Sequence, residues 1–378
     1  MDALVFIPVL ALVLLSLAAA GKTPPRLGAA VLVWGGIIAA AVAIRQWVPD
    51  SFFYPKSEIV KRVQGQLRVL RKTADWEKHP VLILEGSSVT LFGVNGAELA
   101  GLLAERGLPA TVLQFAGAGA NHYERLHLLR LFWQSLKPGE REKLRRTRVV
   151  LLSEVFDAYD RNPLYLYARE AYSERALVYS TPRNAGEAAQ AYRIYQRQPD
   201  FAETEPVLWP LLENSLLNTF AVGAFSDLRP PGKLRGIPGF FALTDPKAAF
   251  DFPATWTNFA GSWKEPEKFA DALPLPQWSR YFETLRAECA PFVDEFGFYA
   301  LPLLEPQRYA YQRAFADHLP PSVIMIGPPG EAFYSRLNQP GDWFDGTHPR
   351  ERGAQVFTEW FADELAREWP RLVRPSSP

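Results

Sequence analysis

The chain has almost no cysteine, and charge of neither sign prevails. Cys289 is the only cysteine, so no disulfide can form within the chain. Many exported proteins also lack disulfides, so this absence leaves the compartment open. Basic and acidic residues total 41 each, and no basic run stands out. Nucleic acid is therefore not an expected partner, because binding it requires a positive surface.

Signals for metal ions and phosphate groups are also absent. Four histidines have no partner at metal-ligand spacing: His79, His122, His127 and His318. Gly117 and Gly119 do not form a phosphate-binding loop, because no Gly-Lys-Ser/Thr sequence follows them. The sequence therefore predicts neither a metal nor a cofactor.

Two apolar runs near the N-terminus contain almost no charge. They cover residues 3–20 and 28–47, with Arg45 near the end of the second run. Each is close to the roughly 17 to 20 residues that a membrane-spanning helix needs. The polar, proline-containing segment 21–27 between them is short enough to force an antiparallel hairpin. We therefore predict two transmembrane helices within residues 1–48, which contact the lipid bilayer.

A cleaved signal peptide ending near Ala18–Ala20 is the alternative. It would lack a positive leading region, because only Met1 and Asp2 precede the apolar run. The second run would then remain as an anchor. Lys22 and Arg26 favour a cytoplasmic loop between the runs. Basic residues also follow the second run, so charge alone leaves the orientation open: Arg45, Lys56, Lys61 and Arg62.

Strand and helix signals alternate through most of the remaining chain. Apolar runs of strand length predict strands at Val81–Leu84, Thr111–Phe115, Arg148–Leu152, Phe298–Leu301 and Ser322–Gly327. Helical spacing and stop signals predict helices over residues 57–77, 95–106, 122–136, 277–293, 307–318 and 350–369. This alternation is typical of right-handed crossovers, so we expect an α/β fold with a parallel sheet.

The predicted organisation has five parts. They are the transmembrane helices (1–48), a membrane-proximal helical linker (49–79), a first α/β half (80–155), an insertion (156–275) and a second α/β half (276–378). We expect the insertion to be helical or irregular, with helices near 187–198 and 210–220, and to pack over one edge of the sheet. Its aromatic residues would form either a sugar-binding platform or a buried core: Tyr159, Tyr165, Tyr167, Trp209, Trp256 and Trp263.

Three residues suit nucleophilic acyl chemistry. Ser88 follows a strand that should be buried on both faces, and ligands bind at the carboxyl ends of such strands. Asp345 and His348 stand together just before the C-terminal helix. A histidine can take the serine proton while an aspartate fixes its tautomer. The alternatives are structural: Ser88 as a helix cap, Asp345 as a turn residue and His348 as a helix-start residue.

These residues resemble the SGNH/GDSL hydrolases. Gly86-Ser87-Ser88 stands where that family has Gly-Asp-Ser, so Ser88 is the implied nucleophile and Ser87 a turn or cap residue. Gly117-Ala118-Gly119 follows the second strand, where the family has its oxyanion-hole glycine, here Gly119; this glycine could instead only permit a tight turn. Asp345-Gly346-Thr347-His348 matches the family's closing Asp-x-x-His. The resemblance implies a three-layer α/β/α fold and an oxyanion hole of Ser88 and Gly119.

The Gly-Ser-Ser variant, the anchor and the insertion look more like one branch of the family. That branch holds the teichoic-acid D-alanylation protein D and the alginate and cellulose O-acetylation proteins. It implies an acyltransferase or esterase on the outer side of a bacterial cytoplasmic membrane. A membrane-bound O-acyltransferase would be its partner and an envelope polysaccharide its substrate. A polysaccharide deacetylase and a non-catalytic docking or polymer-binding module remain the rival hypotheses.

One departure from the family pattern concerns the third strand. The hydrolases carry Gly-x-Asn after it, and the asparagine donates to the oxyanion; this chain reads Leu152-Ser153-Glu154-Val155-Phe156. A third donor is therefore absent or comes from elsewhere, with Asn121 as a candidate. Glu154 could instead face the cleft, whereas Glu85 is expected to make a structural hydrogen bond.

Overall fold

A computed structural model describes most of the chain after residue 56. The described residues are 57–120, 122–155, 250–262 and 276–373, with isolated positions 32–33, 35–36 and 179. The chain divides into two compact units, one of residues 1–61 and 163–236 and the other of residues 62–162 and 237–378. Nearly all described residues belong to the second unit, which contains every strand named below.

Strands and helices alternate along this unit, as the sequence predicts. The elements through β3 are α1 (Glu58–Lys72), a 3-10 turn (Trp76–Lys78), β1 (Val81–Gly86), α2 (Ser88–Gly93), α3 (Gly96–Glu105), β2 (Thr111–Ala116), α4 (His122–Ser135), α5 (Pro138–Arg146) and β3 (Val149–Glu154). The later elements are α6 (Phe252–Ser262), α7 (Pro276–Cys289), β4 (Glu295–Tyr299), α8 (Pro306–His318), β5 (Ile324–Ile326), α9 (Glu331–Tyr334), two 3-10 turns (Ser335–Leu337 and Pro340–Asp342) and α10 (Glu351–Leu372).

The five strands form one parallel sheet in the order β2-β1-β3-β4-β5. This arrangement confirms the predicted α/β class. The chain passes from β1 to β2 on one side and then returns to place β3 on the other side of β1. The order of the strands therefore reverses at β1. In open α/β sheets, ligands bind outside the carboxyl ends of the strands at such a reversal.

Both faces of β1 are buried, which explains its continuous apolar sequence. Leu82 and Leu84 belong to a core cluster that includes Phe357 and Phe361 of α10. On β2, Phe115 packs against Phe132 of α4 with ring centroids 4.9 Å apart. Burial of such large apolar side chains contributes about 1.5–3 kcal/mol each. The end of β1 is thus held by a packed core.

Helix α1 covers the outer edge of β2. Gln66 accepts a hydrogen bond from the Gln114 N–H (2.9 Å), and Arg62 donates to the Ala116 carbonyl (2.8 Å). The two α1 residues are four positions apart and therefore lie on one face of the helix. An edge strand otherwise presents unpaired backbone groups to other chains. The helix predicted over 57–77 thus protects the sheet, although it ends at Lys72.

Several elements differ from the predicted ones, among them β4, α5 and α2. Strand β4 begins at Glu295 rather than Phe298, because Glu295 pairs with Val150 of β3. The strand ends at Tyr299, whereas the apolar run in the sequence continues to Leu301. Pro138 begins helix α5 instead of only ending α4, and the Glu140 carboxylate accepts the Lys137 N–H there at 2.8 Å. Proline suits the first turn of a helix, because N–H groups there have no partner inside the helix and the missing proline N–H costs no hydrogen bond. The short helix α2 was not predicted as a separate element.

Much of the predicted membrane and insertion architecture lies outside the described residues. This applies to the apolar runs 3–20 and 28–47, except that residues 32, 33, 35 and 36 are helical, and to the helices near 187–198 and 210–220. Among the residues that the structure describes, no helix combines the length and apolar character needed to cross a membrane.

Within the insertion, the described helix α6 uses its aromatic residues for packing. Trp256 stacks on Phe252 with centroids 5.7 Å apart. Phe259 is fully buried against Tyr334, with centroids 4.7 Å apart. Trp256 itself is half-buried and packs at the margin of the core cluster. The other aromatic residues named for this segment lie outside the described part of the chain.

A glycine at the start of α10 generates the first prediction. A Cβ on Gly353 would lie 2.3 Å from the Asp342 carbonyl oxygen and 2.9 Å from Pro349 Cβ. We expect Gly353→Ala to destabilise the protein by about 1–3 kcal/mol, because overpacking forces the backbone to shift. The midpoint of thermal unfolding measures the effect.

The matched control is Gly101→Ala in α3. Gly101 is exposed, and a Cβ there would meet nothing within 4 Å. Alanine should stabilise that helix by about 0.5–1 kcal/mol, because it loses less conformational entropy on folding than glycine. Equal unfolding midpoints for the two variants would contradict the packing described at Gly353.

Candidate functional site

The turn after β1 places two serines in different roles. Ser87 is the N-cap of α2, and its hydroxyl accepts the Val89 N–H at 3.2 Å. Ser88 is the first residue of that helix, and its hydroxyl lies at the sheet's carboxyl edge. Gly86 is required here because a Cβ would lie 2.2 Å from Thr90 Oγ1 and 2.7 Å from the Tyr299 hydroxyl. The predicted cap residue is therefore Ser87, and Ser88 has its side chain available for another partner.

The partner of Ser88 is His348. The Ser88 Oγ lies 2.8 Å from His348 Nε2. On the other side of the ring, His348 Nδ1 lies 2.8 Å from Asp345 Oδ1 and 3.0 Å from Oδ2. When Nδ1 carries the ring proton and donates a hydrogen bond to the carboxylate, Nε2 is unprotonated and can accept the serine proton. The structure thus brings together the three residues that the sequence predicted.

The loop that carries the histidine is fixed by Asp345. Asp345 Oδ1 accepts the N–H groups of Thr347 and His348, each at 2.9 Å, and the Thr347 hydroxyl at 2.9 Å. Burial acts to raise the pKa of Asp345, but the hydrogen bonds and charge of His348 and the two backbone N–H groups outweigh it. The pKa of Asp345 is therefore well below its usual range, and the carboxylate is ionised at neutral pH.

Neighbouring elements hold this loop against the sheet. The Leu304 N–H donates to the Gly346 carbonyl at 2.7 Å, and Trp343 pairs with Pro349 in an isolated bridge. Trp343 is fully buried beneath the loop. Phe92 of α2 contacts the His348 ring edge-on, with centroids 5.5 Å apart. The imidazole is thus oriented from both sides.

The site is partly open to solvent. The side chains of His348 and Asp345 are 19% and 20% exposed, whereas Ser88 is 6% exposed. A small acyl group could therefore approach the serine while the histidine stays in contact with water. This exposure suits a group that exchanges protons during a reaction.

Gly119 occupies a tight turn after β2. Its φ is +62°, in the region that favours glycine, and the Ala120 N–H closes the turn on the Gly117 carbonyl at 3.0 Å. The Gly117 N–H donates to the Gly86 carbonyl at 3.2 Å. The turn therefore lies beside the end of β1. The Ser88 N–H lies at the start of α2 and the Gly119 N–H lies in this turn, so the two groups follow adjacent strands. Asn121 lies outside the described residues.

The end of β3 supplies no outward-facing donor. Ser153 is 1% exposed and its hydroxyl donates to the Glu85 carboxylate, the structural hydrogen bond expected for Glu85. Glu154 is also 1% exposed, and its carboxylate accepts the Ser87 N–H. The hypothesis that Glu154 faces the cleft was wrong, because its side chain turns back beneath the serine turn.

Arg125 completes a buried charge cluster that sequence analysis missed. The guanidinium on α4 is fully buried, with Nε 3.9 Å from Glu85 Oε1 and Nη2 3.7 Å from Glu154 Oε2. Burial raises the pKa of Glu154, and the charge of Arg125 opposes this rise. The sequence held one signal of this cluster: a glutamate near the end of each of two apolar strands, Glu85 in β1 and Glu154 in β3. No local pattern marked Arg125 as their partner.

Comparisons with known proteins found no match to this chain. A scan against models of protein families matched none, and searches of curated proteins and of solved structures also returned no match. Within the described residues, no group of three or more His, Cys, Asp or Glu side chains could hold a metal ion. Any functional conclusion therefore depends on the geometry and on the motifs in the sequence.

The environment of Asp345 predicts how stability changes with pH. A carboxyl whose pKa is lowered on folding stabilises the protein above its unfolded pKa of about 3.9, and that contribution is lost as the pH falls towards the folded value. We expect Asp345→Asn to lower the thermal midpoint at pH 5 to 6. The difference from wild type should shrink steadily below about pH 4.

Asp363→Asn is the control for this measurement. Asp363 pairs with Arg106 at the surface, and its side chain is 51% exposed. Exposed pairs contribute about 0–1 kcal/mol, so this variant should remain close to wild type across the range. A difference between wild type and Asp345→Asn that does not depend on pH would contradict the proposed ionisation.

Proposed function

We propose that the protein is a serine-dependent acyltransferase or carboxylic-ester hydrolase of the SGNH type. The observation that carries this proposal is the chain of contacts from Ser88 Oγ to His348 Nε2, and from His348 Nδ1 to Asp345. Such a triad is recognised by geometry and roles rather than by sequence order. The parallel sheet also presents Ser88 where ligands bind in α/β folds.

The reaction has two half-steps. Ser88 Oγ attacks the carbonyl carbon of an acyl donor while His348 Nε2 takes the hydroxyl proton, and Asp345 stabilises the imidazolium that forms. The tetrahedral intermediate collapses, its bond to the leaving oxygen breaks, and His348 returns the proton to that oxygen. An acceptor hydroxyl then loses its proton to His348 and attacks the acyl-serine. The second tetrahedral intermediate collapses, the bond between the carbonyl carbon and Ser88 Oγ breaks, and His348 returns its proton to Oγ, which restores Ser88.

The N–H groups of Ser88 and Gly119 are the proposed oxyanion donors, with Asn121 as a candidate third. Ser153 and Glu154 cannot donate to the oxyanion because both side chains are bonded inside the fold. Loss of one oxyanion donor costs about 2.7–4 kcal/mol in the transition state. A site with two donors should therefore be slow towards unactivated esters and should favour an activated or delivered acyl donor.

The resemblance extends the proposal beyond the site. It supports a three-layer α/β/α domain, anchored by a transmembrane hairpin in residues 1–48 and facing the periplasm from a bacterial inner membrane. The substrate class is an envelope polysaccharide, to or from which an acetyl or similar group is moved. A membrane-bound O-acyltransferase is the proposed partner that delivers the acyl group. Support for this part comes from the motifs and apolar runs of the sequence.

Two other functions use the same features. A deacetylase would need the same three residues, with water in place of the acceptor hydroxyl. A non-catalytic docking or polymer-binding module is favoured only by the missing donor at the end of β3. The Ser88–His348 contact weighs against this module, because neither binding nor docking requires an oriented base beside a serine.

Covalent labelling tests whether Ser88 is nucleophilic. We expect a fluorophosphonate probe to label the wild-type protein and Ser88→Ala to abolish labelling, because the probe reacts with a serine activated by a base. Intact mass and peptide mapping would locate the adduct.

Ser87→Ala is the matched control for labelling. It removes the neighbouring hydroxyl, which caps α2, at a cost of about 1 kcal/mol in stability. Labelling should persist in that variant at a reduced rate, because the Ser88 hydroxyl and its base remain while the turn loses the hydrogen bond to the Val89 N–H. An unlabelled wild-type protein would favour the non-catalytic module, and labelling that follows Ser87 instead of Ser88 would reverse the assignment.

Product analysis separates transfer from hydrolysis. With an activated acetyl ester as donor, we expect a polysaccharide acceptor to take the acetyl group and to accelerate donor turnover. Acceleration is expected because the acceptor hydroxyl consumes the acyl-serine faster than water does. Ser88→Ala provides the blank. Release of free acetate alone, together with removal of acetyl groups from an acetylated glycan, would instead indicate the deacetylase.

A further inference from the structure

A cluster of three buried ionisable residues lies directly beneath the serine turn. Glu85 and Arg125 are fully buried and Glu154 is 1% exposed. Burial of charged groups is costly, and apolar residues of similar volume often give equal or greater stability. Stability alone is therefore a weak explanation for one cation and two carboxyl groups at this place.

The cluster contacts the backbone segments that form the site. The Glu154 carboxylate accepts the Ser87 N–H, immediately before the serine that faces His348. Arg125 donates to the Ala120 carbonyl (3.1 Å), at the end of the turn that contains Gly119, and to the Glu154 carbonyl (3.1 Å). The cluster thus connects the ends of β1, β2 and β3.

A second set of buried hydrogen bonds joins the same region to β4. The hydroxyls of Thr90 and Tyr299 are 2.6 Å apart, and the Tyr299 hydroxyl donates to the Glu85 carbonyl at 3.1 Å. The groups around Glu154 thus come from four elements: Arg125 on α4, Glu85 on β1, Thr90 on α2 and Tyr299 on β4. Of these, Arg125 contacts the Glu154 carboxylate directly, with Nη2 3.7 Å from Oε2.

We propose that Glu154 is a positioning residue, whose carboxyl oxygen holds the Ser87 N–H and so places Ser88 Oγ within reach of His348 Nε2. N–H groups at the start of a helix have no partner inside the helix. The Ser87 hydroxyl holds the Val89 N–H, and Glu154 holds the Ser87 N–H, so the backbone is fixed on both sides of Ser88. This inference rests on the proposed function.

Two conservative variants separate position from charge. Glu154→Gln keeps the length of the side chain and an acceptor oxygen, but it removes the charge and leaves Arg125 paired with Glu85. Glu154→Asp keeps the charge but withdraws the oxygen by one methylene group. Positioning predicts that the glutamine variant stays active and the aspartate variant does not, whereas a purely electrostatic role predicts the reverse.

The readouts are the rate of fluorophosphonate labelling of Ser88 and the kcat and KM for an activated acetyl ester. We expect Glu154→Asp to lower the labelling rate and kcat about 100-fold with little change in KM, since a displacement near 1 Å has effects of this size. Glu154→Gln should stay within about tenfold of wild type. If Glu154→Asp does not fold, Glu154→Met replaces it with the same expected loss, because methionine fills the space and offers only a weakly accepting sulfur in place of the carboxyl oxygen.

Glu288→Gln controls for general loss of stability. Glu288 on α7 accepts a hydrogen bond from Arg130 Nε on α4 at 2.6 Å, and the Glu288 side chain is 15% exposed. The variant removes a partly buried carboxylate outside the cluster that contacts the serine turn. We expect a lower unfolding midpoint and an unchanged labelling rate below that midpoint.

The outcomes separate failure of this inference from failure of the proposed function. An unlabelled wild-type protein would remove the proposed function and the inference with it. Two results with a labelled wild-type protein would overturn the positioning role and leave the proposed nucleophile in place. In the first, Glu154→Asp is labelled as fast as wild type. In the second, Glu154→Gln lowers the labelling rate as much as Glu154→Asp does. Retention of rate by Glu154→Gln and loss by Glu154→Asp would support the positioning role.

Discussion

The hydrogen bond between Ser88 Oγ and His348 Nε2 joins two segments that are 260 residues apart in sequence. Neither segment can make it alone, because one follows the central strand β1 and the other precedes helix α10. The bond therefore depends on the strand order that reverses at β1 and on the packing of α10 against the sheet. A shift of the Asp345 loop would separate the pair even if every secondary structure element remained.

Local sequence predicted those parts of the molecule that depend on local interactions. Buried strand β1 was evident because it must be apolar on both faces, and Ser88, Asp345 and His348 were marked by short motifs in recognisable places. The distinction between Ser87 and Ser88 also followed from the motif, and the cap hydrogen bond to Val89 gives it a physical basis. Strands β1 to β3 were predicted to within two residues at their ends for the same reason.

Features that depend on distant partners were not predictable in the same way. The start of β4 is set by its pairing with Val150, which the apolar run from Phe298 does not reveal. Arg125 looked like one more charged residue on a helix, yet it is fully buried between two glutamates contributed by different strands. The direction of the Glu154 side chain likewise depends on the Ser87 N–H in the turn after β1, so its burial excluded the alternative in which this carboxylate faces the cleft.

The most direct test of the central claim is to trap the acyl-enzyme itself. The protein would be mixed with an activated acetyl ester, quenched in acid within a turnover, digested, and examined by fragment mass spectrometry that distinguishes Ser87 from Ser88. The account predicts one acetyl group on Ser88 in the wild-type protein and little or none in His348→Gln at the same time point. Absence of the adduct, its location on another residue, or equal acetylation without the imidazole would contradict it.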